Sequence, residues 1–336
     1  MSYKRFDLED IVVSSDSITA PAWSNNLVTL TAFHTSSTQI NASSGKYYYN
    51  VYNGDPATTN TTASIQFSVA HGNRSGSAAQ AYNSQVSQSY SSTVYGQFRT
   101  LILGDEDTDF TFTSQSGAVT NTPDNIAFLS IERAKYKEKI LPGSLTLHLT
   151  SGSTTVVLTD DSSTTTTDTF VDGGRVYNIV SGAAGTVNSA ATQFGKIYPD
   201  IGIIALSMDE LNQSDLRAMH LSGSGIHNYT TTNNNLNIYN SINSGSSFTL
   251  RSQETVSSNY VFVRSRNSEF NYSNNPSNIT SSGELRHSVM IDNPQSYITA
   301  VGLYNDNNDL LAVAKLSTPL LKDFTKEALI RVKLDY

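Results

Sequence analysis

Apolar residues along this chain gather in four dense segments, at 126–149, 201–211, 248–263 and 297–336. Long stretches rich in Ser, Thr and Asn separate them. In Asn125–Thr150, Ile126, Phe128 and Ser130 alternate with Ala127, Leu129 and Ile131, which predicts a strand buried on both faces. The charges of Glu132–Lys139 mark an exposed crossing, Pro142-Gly143 a turn, and Leu145, Leu147 and Leu149 a second strand, with His148 facing outward. The last segment, Tyr297–Tyr336, reads as two apolar strands around the turn Asn305–Asp309, a connector and a terminal strand. In that strand Ile330, Val332, Leu334 and Tyr336 alternate with Arg331, Lys333 and Asp335.

Shorter strands are expected at Leu27–Phe33, Tyr47–Tyr52, Ile65–Ala70, Phe98–Leu103, Asp109–Thr113, Thr154–Thr159, Arg175–Val180 and Ile201–Leu206, and as a pair within Phe248–Arg266. One helix is predicted, Met208–His220, started by a capping box of Ser207 and Glu210. Ser162–Thr167, Ser222–Ser247 and Asn267–Ser282 read as polar loops. The expected fold is mainly β: a β-sandwich or barrel-like core with long Ser/Thr/Asn-rich loops and one or two short helices. Residues 1–25 are either an N-terminal docking arm or a first strand. Residues 26–150 form a β-rich region, 151–247 a β-rich insertion holding the helix at 208–220, and 248–336 a C-terminal β region completing the core.

Composition narrows the function. Charged residues are 15% of the 336, against the usual level of about 25%. With 18 Tyr and 13 Phe, the residues replacing them favour extended structure. The net charge of −8 with no basic stripe removes the electrostatic basis for binding nucleic acid. The absence of cysteine excludes disulfides, thiol catalysis and thiolate metal sites. The opening MSYKRFDLEDIVVSSDS lacks the apolar run of a secretory signal, so folding in the cytoplasm where it is made is expected. No run approaches the roughly 20 apolar residues of a membrane span.

Candidate chemistry is sparse. Asp105, Asp107 and Asp109 have the spacing of the first EF-hand ligands, but Phe110 and Ser116 stand where that loop needs Gly and Glu. An acidic turn is the simpler reading, and Asp160-Asp161 and Asn305–Asp309 read as turns too. The six histidines are scattered, and no zinc-protease, Walker A, dinucleotide-binding or nucleophile-elbow motif occurs. A carboxylate pair joined only by the fold stays open in principle. No catalytic, cofactor-binding or metal residue is assigned, and no cofactor is expected. The Tyr-rich run Lys46–Tyr52 reads as a strand with Tyr on both faces, a carbohydrate or protein contact being the alternative. The stretch Arg264–Pro276 follows an apolar strand and carries the residue types enriched at interface centres. The candidate interface residues are Arg264, Arg266, Phe270 and Tyr272 from this stretch, with Tyr304 and Tyr336 from the terminal strands.

Five runs then carry a resemblance: SSTVYGQFRTLILGDEDTDFTF (91–112), IERAKYKEKILPGSLTLHL (131–149), FGKIYPDIGIIALS (194–207), YVFVRSRNSEFNYSNNPS (260–277) and YITAVGLYNDNNDLLAVAKLS (297–317). In order, and over about two thirds of the chain, the sequence is similar to a family of virion structural proteins of contractile-tailed, cyanophage-type myophages. The resemblance implies a non-enzymatic component of the tail or baseplate, assembled in the host bacterial cytoplasm. It implies other tail and baseplate proteins and further copies of the chain as partners, with neither nucleic acid nor membrane. A receptor- or carbohydrate-binding tail module is the alternative.

Overall fold

The computed structural model describes residues 4–41, 47–58, 63–76, 89–113, 120–190, 192–211, 234–273 and 275–335. From the N-terminus come a 3-10 turn (Leu8–Asp10), β1 (Ile11–Pro21), β2 (Thr29–Leu30), α1 (Ser37–Asn41), β3 (Tyr49–Tyr52), β4 (Ile65–Asn73) and α2 (Ser89–Leu103). The short β5 (Phe112–Thr113) and β6 (Thr120–Asn121) precede β7 (Asn125–Ile131), β8 (Lys139–Ile140), β9 (Thr146–Ser151) and β10 (Thr154–Asp160). Next are β11 (Thr169–Val171), β12 (Gly174–Ala183), β13 (Thr186–Ser189), β14 (Gly195–Tyr198), β15 (Ile203–Ser207), α3 (Met208–Leu211) and α4 (Asn234–Gly245). The chain ends with β16 (Phe248–Thr249), β17 (Arg251–Ser265), α5 (Val289–Asp292), the hairpin β18 (Ser296–Tyr304) and β19 (Leu310–Lys322), and β20 (Ala328–Asp335).

These elements form two compact units, Ile18–Glu254 and Met1–Ser17 with Thr255–Tyr336. The fold is mainly β, with a large curled antiparallel sheet and few short helices. In the larger unit the neighbours run β2-β16-β9-β10-β12-β14-β15-β7-β4-β3. Every pair along that path is antiparallel. The two ends of the path are tied where His34, just past β2, and Tyr52 of β3 exchange backbone hydrogen bonds of 3.0 and 2.8 Å. The sheet is thereby barrel-like.

Strand β7 is buried on both faces, as its residues predict. Ala127, Leu129 and Ile131 belong to a cluster that also holds Trp23, Phe67 and Phe248. Ile126 and Phe128 belong to another, which packs under α2. In the first cluster the Trp23 and Phe248 rings lie 5.0 Å apart and Trp23 Nε1 donates to the Phe248 carbonyl at 2.9 Å, so the indole is buried without an unpaired donor.

Two elements differ from the sequence reading. Phe98–Leu103, expected as a strand, is the second half of helix α2. Val94, Phe98 and Ile102 recur every four residues and turn one stripe to the sheet, where Phe98 stacks on Phe128 at 4.2 Å. Gly72 of β4 lets the helix approach: a Cβ there would lie 2.8 Å from Phe128 Cε2 and 3.1 Å from Tyr95 Cα. Within Ser222–Ser247, expected as loop, residues 234–245 form α4, which buries Ile238, Tyr239 and Ile242 in the first cluster. Tertiary burial overrides the poor helix propensity of its many Asn residues. The predicted helix at 208–220 is seen only as Met208–Leu211. There Ser207 Oγ accepts from the Glu210 N–H at 3.3 Å, while the Glu210 carboxylate accepts from Asn121. The rest of that helix lies outside the described residues.

In the smaller unit, β1, β17 and β20 form one sheet and β18 with β19 a second. Val261 opposes Val332 and Val263 opposes Ile330 across β17 and β20; Leu303 opposes Ala312 and Val301 opposes Ala314 in the hairpin. These residues form one small cluster, so the two sheets pack as layers. The C-terminal strands thus have their own core and contribute no residue to the larger clusters. The turn of the hairpin follows the expected chemistry: Asn305 Oδ1 accepts from the Asp309 N–H at 2.7 Å, and Asn308 takes φ 67°.

Candidate interaction surface

The smaller unit covers only the facing sides of its two layers. The alternation that buries Ile330, Val332 and Leu334 sends Leu329, Arg331 and Lys333 outward. On the hairpin, Val313 opposes Gly302 on the outer side, and the Tyr304 ring lies across that glycine. Leu311 is the extra residue of a bulge, with Leu303 paired to Ala312 and Tyr304 to Leu310, and it points into solvent. Tyr297, Leu310 and Leu320 are also exposed. Most of the exposed large apolar side chains among the described residues belong to this unit, though it is the smaller of the two. Large apolar side chains left exposed in such numbers are a feature of interaction surfaces.

The segment after β17 is fixed by a residue about fifty positions away. Lys322 is fully buried, and its ammonium donates to the Asn267 carbonyl at 3.0 Å, Asn271 Oδ1 at 2.7 Å and the Asp323 carbonyl at 3.0 Å. Three donors meet three acceptors, which is what a buried ammonium requires. Asn271 Nδ2 returns to the Asn267 carbonyl at 2.7 Å, and the Ser296 hydroxyl donates to the Phe270 carbonyl. These contacts hold Phe270 at φ 56°, a left-handed conformation that is strained for an aromatic residue.

Glu269 closes the segment. Its carboxylate accepts from the Arg266 N–H at 2.8 Å and from Lys4 Nζ at 3.0 Å. Those two contacts, the Arg266 N–H first, hold its pKa below the usual glutamate value. Phe270, Tyr272, Pro294 and Phe324 then line an open groove of about 400 Å³ with Lys4 and Glu269 at its edge.

The structure brings Phe270 and Tyr272 together in this groove and leaves Tyr272 exposed. Arg264 lies on β17, exposed, 3.1 Å from the buried carboxylate of Asp10. Arg266 is exposed beside the groove and Tyr304 is half-buried at the hairpin end. Tyr336 lies outside the described residues. The sequence reading missed Lys322, and it missed the exposed Ile11–Val13, Leu311, Val313 and Leu329. The run Ile11-Val12-Val13, apolar on consecutive positions of a strand end, was the available signal.

Elsewhere the acidic residues serve local structure. Asp105 accepts from the backbone of Asp107 and Thr108, and Asp109 is engaged by Arg74, Arg99 and Tyr95. Asp161 holds the Asn178 backbone and side chain. Among the described residues there is no group of three His, Cys, Asp or Glu placed to hold a metal ion. No family model matches the chain, and no curated protein or solved structure does either.

Proposed function

We propose that this chain is a structural assembly protein of a phage virion, placed in the contractile tail or baseplate. It acts through interfaces with copies of itself and with other tail proteins, and makes or breaks no covalent bond. The observation that carries the reading is the exposure of apolar side chains on both outer sides of the smaller unit. A permanent assembly removes such surface from water, at about 25 cal/mol per Å². The resemblance of five ordered runs to myophage virion proteins supplies the setting. The test is mass spectrometry of purified virions of the phage that encodes it. The chain is expected at a fixed stoichiometry; its absence from intact particles refutes the reading.

The groove favours a second reading, a carbohydrate-binding tail module. Exposed Tyr272 and Phe324 rings beside the Glu269 carboxylate are the chemistry that takes a sugar face and its hydroxyls. Glycan-array binding by the intact chain, lost in Tyr272→Ala, supports that reading.

A further inference from the structure

We propose that copies of this chain join edge to edge, strand β1 of one copy pairing with β20 of the next. The sheet of the smaller unit then continues from copy to copy. This inference rests on the assembly reading and names the surface and the partner.

Strands β1 and β20 flank β17 in a sheet whose fourth strand, β8, also pairs with β17, and among the described residues neither β1 nor β20 has a second strand as neighbour. Each therefore presents a row of backbone N–H and C=O groups to the outside. Folded proteins guard such rows with lysine, proline, bulges or brevity, because an open row templates pairing with another chain. Strand β1 lacks three of these guards over its first ten residues, namely lysine, proline and brevity. It is 11 residues long, carries no lysine or arginine, and has its one proline at the last position. Ile11, Val12 and Val13 are 43%, 47% and 67% exposed. Apolar residues in succession place exposed hydrocarbon on both sides of the strand.

The occupant follows from charge. Strand β1 carries one charged residue, Asp16, whereas β20 carries Arg331 and Lys333 with Asp335 at its end, so β1 is acidic and β20 on balance basic. Antiparallel pairing of β20 with a second β20 about Val332 would set Arg331 opposite Lys333. Pairing β1 with a second β1 about its middle would bring two Asp16 carboxylates together. Like charges directly opposite destabilise a strand pair, and opposite charges support it. Joining β1 to β20 is the combination that matches sign. Within one copy the same attraction already operates across β17, where Lys333 Nζ lies 3.9 Å from Asp16. A β1-to-β20 contact is head-to-tail, so each added copy leaves one edge of each kind free. It closes into a ring if the rotation permits and otherwise grows as a helix.

The chain has no cysteine, so single engineered thiols report position cleanly. Val13→Cys and Leu329→Cys, both at exposed positions, are purified as full-length chains with tags of different size. They are mixed at tens of micromolar and treated with a short flexible bismaleimide. The expected product is the mixed 13-to-329 dimer, in excess over either homodimer. Adding Val12→Lys to the Val13→Cys chain guards the edge and is expected to cut the mixed dimer about tenfold. A monomer in sedimentation, or links only between like positions, overturns the proposal. If the chain is present in virions while the mixed link fails to form, the edge pairing falls and the assembly reading stands.

Discussion

Acid is expected to destabilise the larger unit through one histidine. His71 lies within β4, buried, with its Nε2 3.1 Å from Asn125 Oδ1 and its backbone N–H 2.6 Å from Asn235 Oδ1. The Asn125 oxygen can only accept, so Nε2 carries the hydrogen and an added proton must go to Nδ1. Burial lowers the His71 pKa from 6.5 to about 4, with the Asn125 hydrogen bond opposing the shift. Below pH 6.5 the unfolded chain takes up this proton and the folded chain does not, so stability falls as the pH drops, until the folded residue titrates near 4. At 1.36 kcal/mol per tenfold difference in proton affinity, the loss is about 2 kcal/mol at pH 5 and about 3 kcal/mol near pH 4. The carboxylates act in a lower window. Asp335, held low by Ser258 and then Lys333, contributes stability that is lost only as the pH falls through its depressed value. Trp23 is the single tryptophan and sits in the first cluster, so its fluorescence during urea unfolding reports this unit directly. Unfolding of the parent chain and of His71→Gln is compared between pH 7 and 4.5. The glutamine variant starts less stable but is expected to lose about 2 kcal/mol less over that range. Parallel pH dependences for the two chains would refute the argument.

Other consequences are as direct. Lys322→Met removes the buried ammonium from its three acceptors and is expected to destabilise the smaller unit by about 3 kcal/mol; hydrogen exchange at 266–273 should rise, and an unchanged exchange pattern contradicts the role given to Lys322. Gly72→Ala forces a Cβ against Phe128 and Tyr95 and should cost about 1–3 kcal/mol in Trp23-detected unfolding; a neutral result would mean that α2 shifts freely. Arg266→Ala changes an exposed side chain and should leave melting within about 0.5 kcal/mol of the parent, while lowering incorporation into particles in a complementation assay; normal incorporation removes that segment from the interface. Deleting Ile330–Tyr336 takes Ile330, Val332 and Leu334 from the small cluster; protection in β17–β19 should vanish, and a truncated chain with that protection intact would show that the cluster is dispensable.

What the sequence discloses about this fold depends on how far apart the deciding contacts lie. Strand β7 is legible because both of its faces are apolar, so the residues alone say that something covers each side. Helix α2 is misleading because Val, Tyr, Phe, Thr and Ile favour strands, and the four-residue spacing of Val94, Phe98 and Ile102 gains meaning only against the Phe128 face. Closure of the sheet rests, among the described residues, on the bridge between His34 and Tyr52, which no local pattern announces. The same limit governs the surface. Alternation in β20 shows that Ile330, Val332 and Leu334 share one side and Leu329, Arg331 and Lys333 the other, but both sides contain hydrocarbon. Which side is covered is decided by the hairpin, which lays Leu303 and Ala312 on the first and leaves Leu329 bare. Apolar density in the last forty residues therefore has two meanings at once, a small core and an uncovered face. A chain that only had to fold would need the first. Retaining the second costs solubility, because exposed leucine and valine invite association. That cost is offset when the association is the protein's purpose. The segment 266–273 shows the complement: Arg266, Phe270 and Tyr272 announce a contact by residue type, yet the ammonium that fixes their geometry comes from Lys322, at the far end of β19. Rigidity supplied from a distance would lower the entropy lost on docking a partner of the kind proposed, because the groove is already held in one conformation.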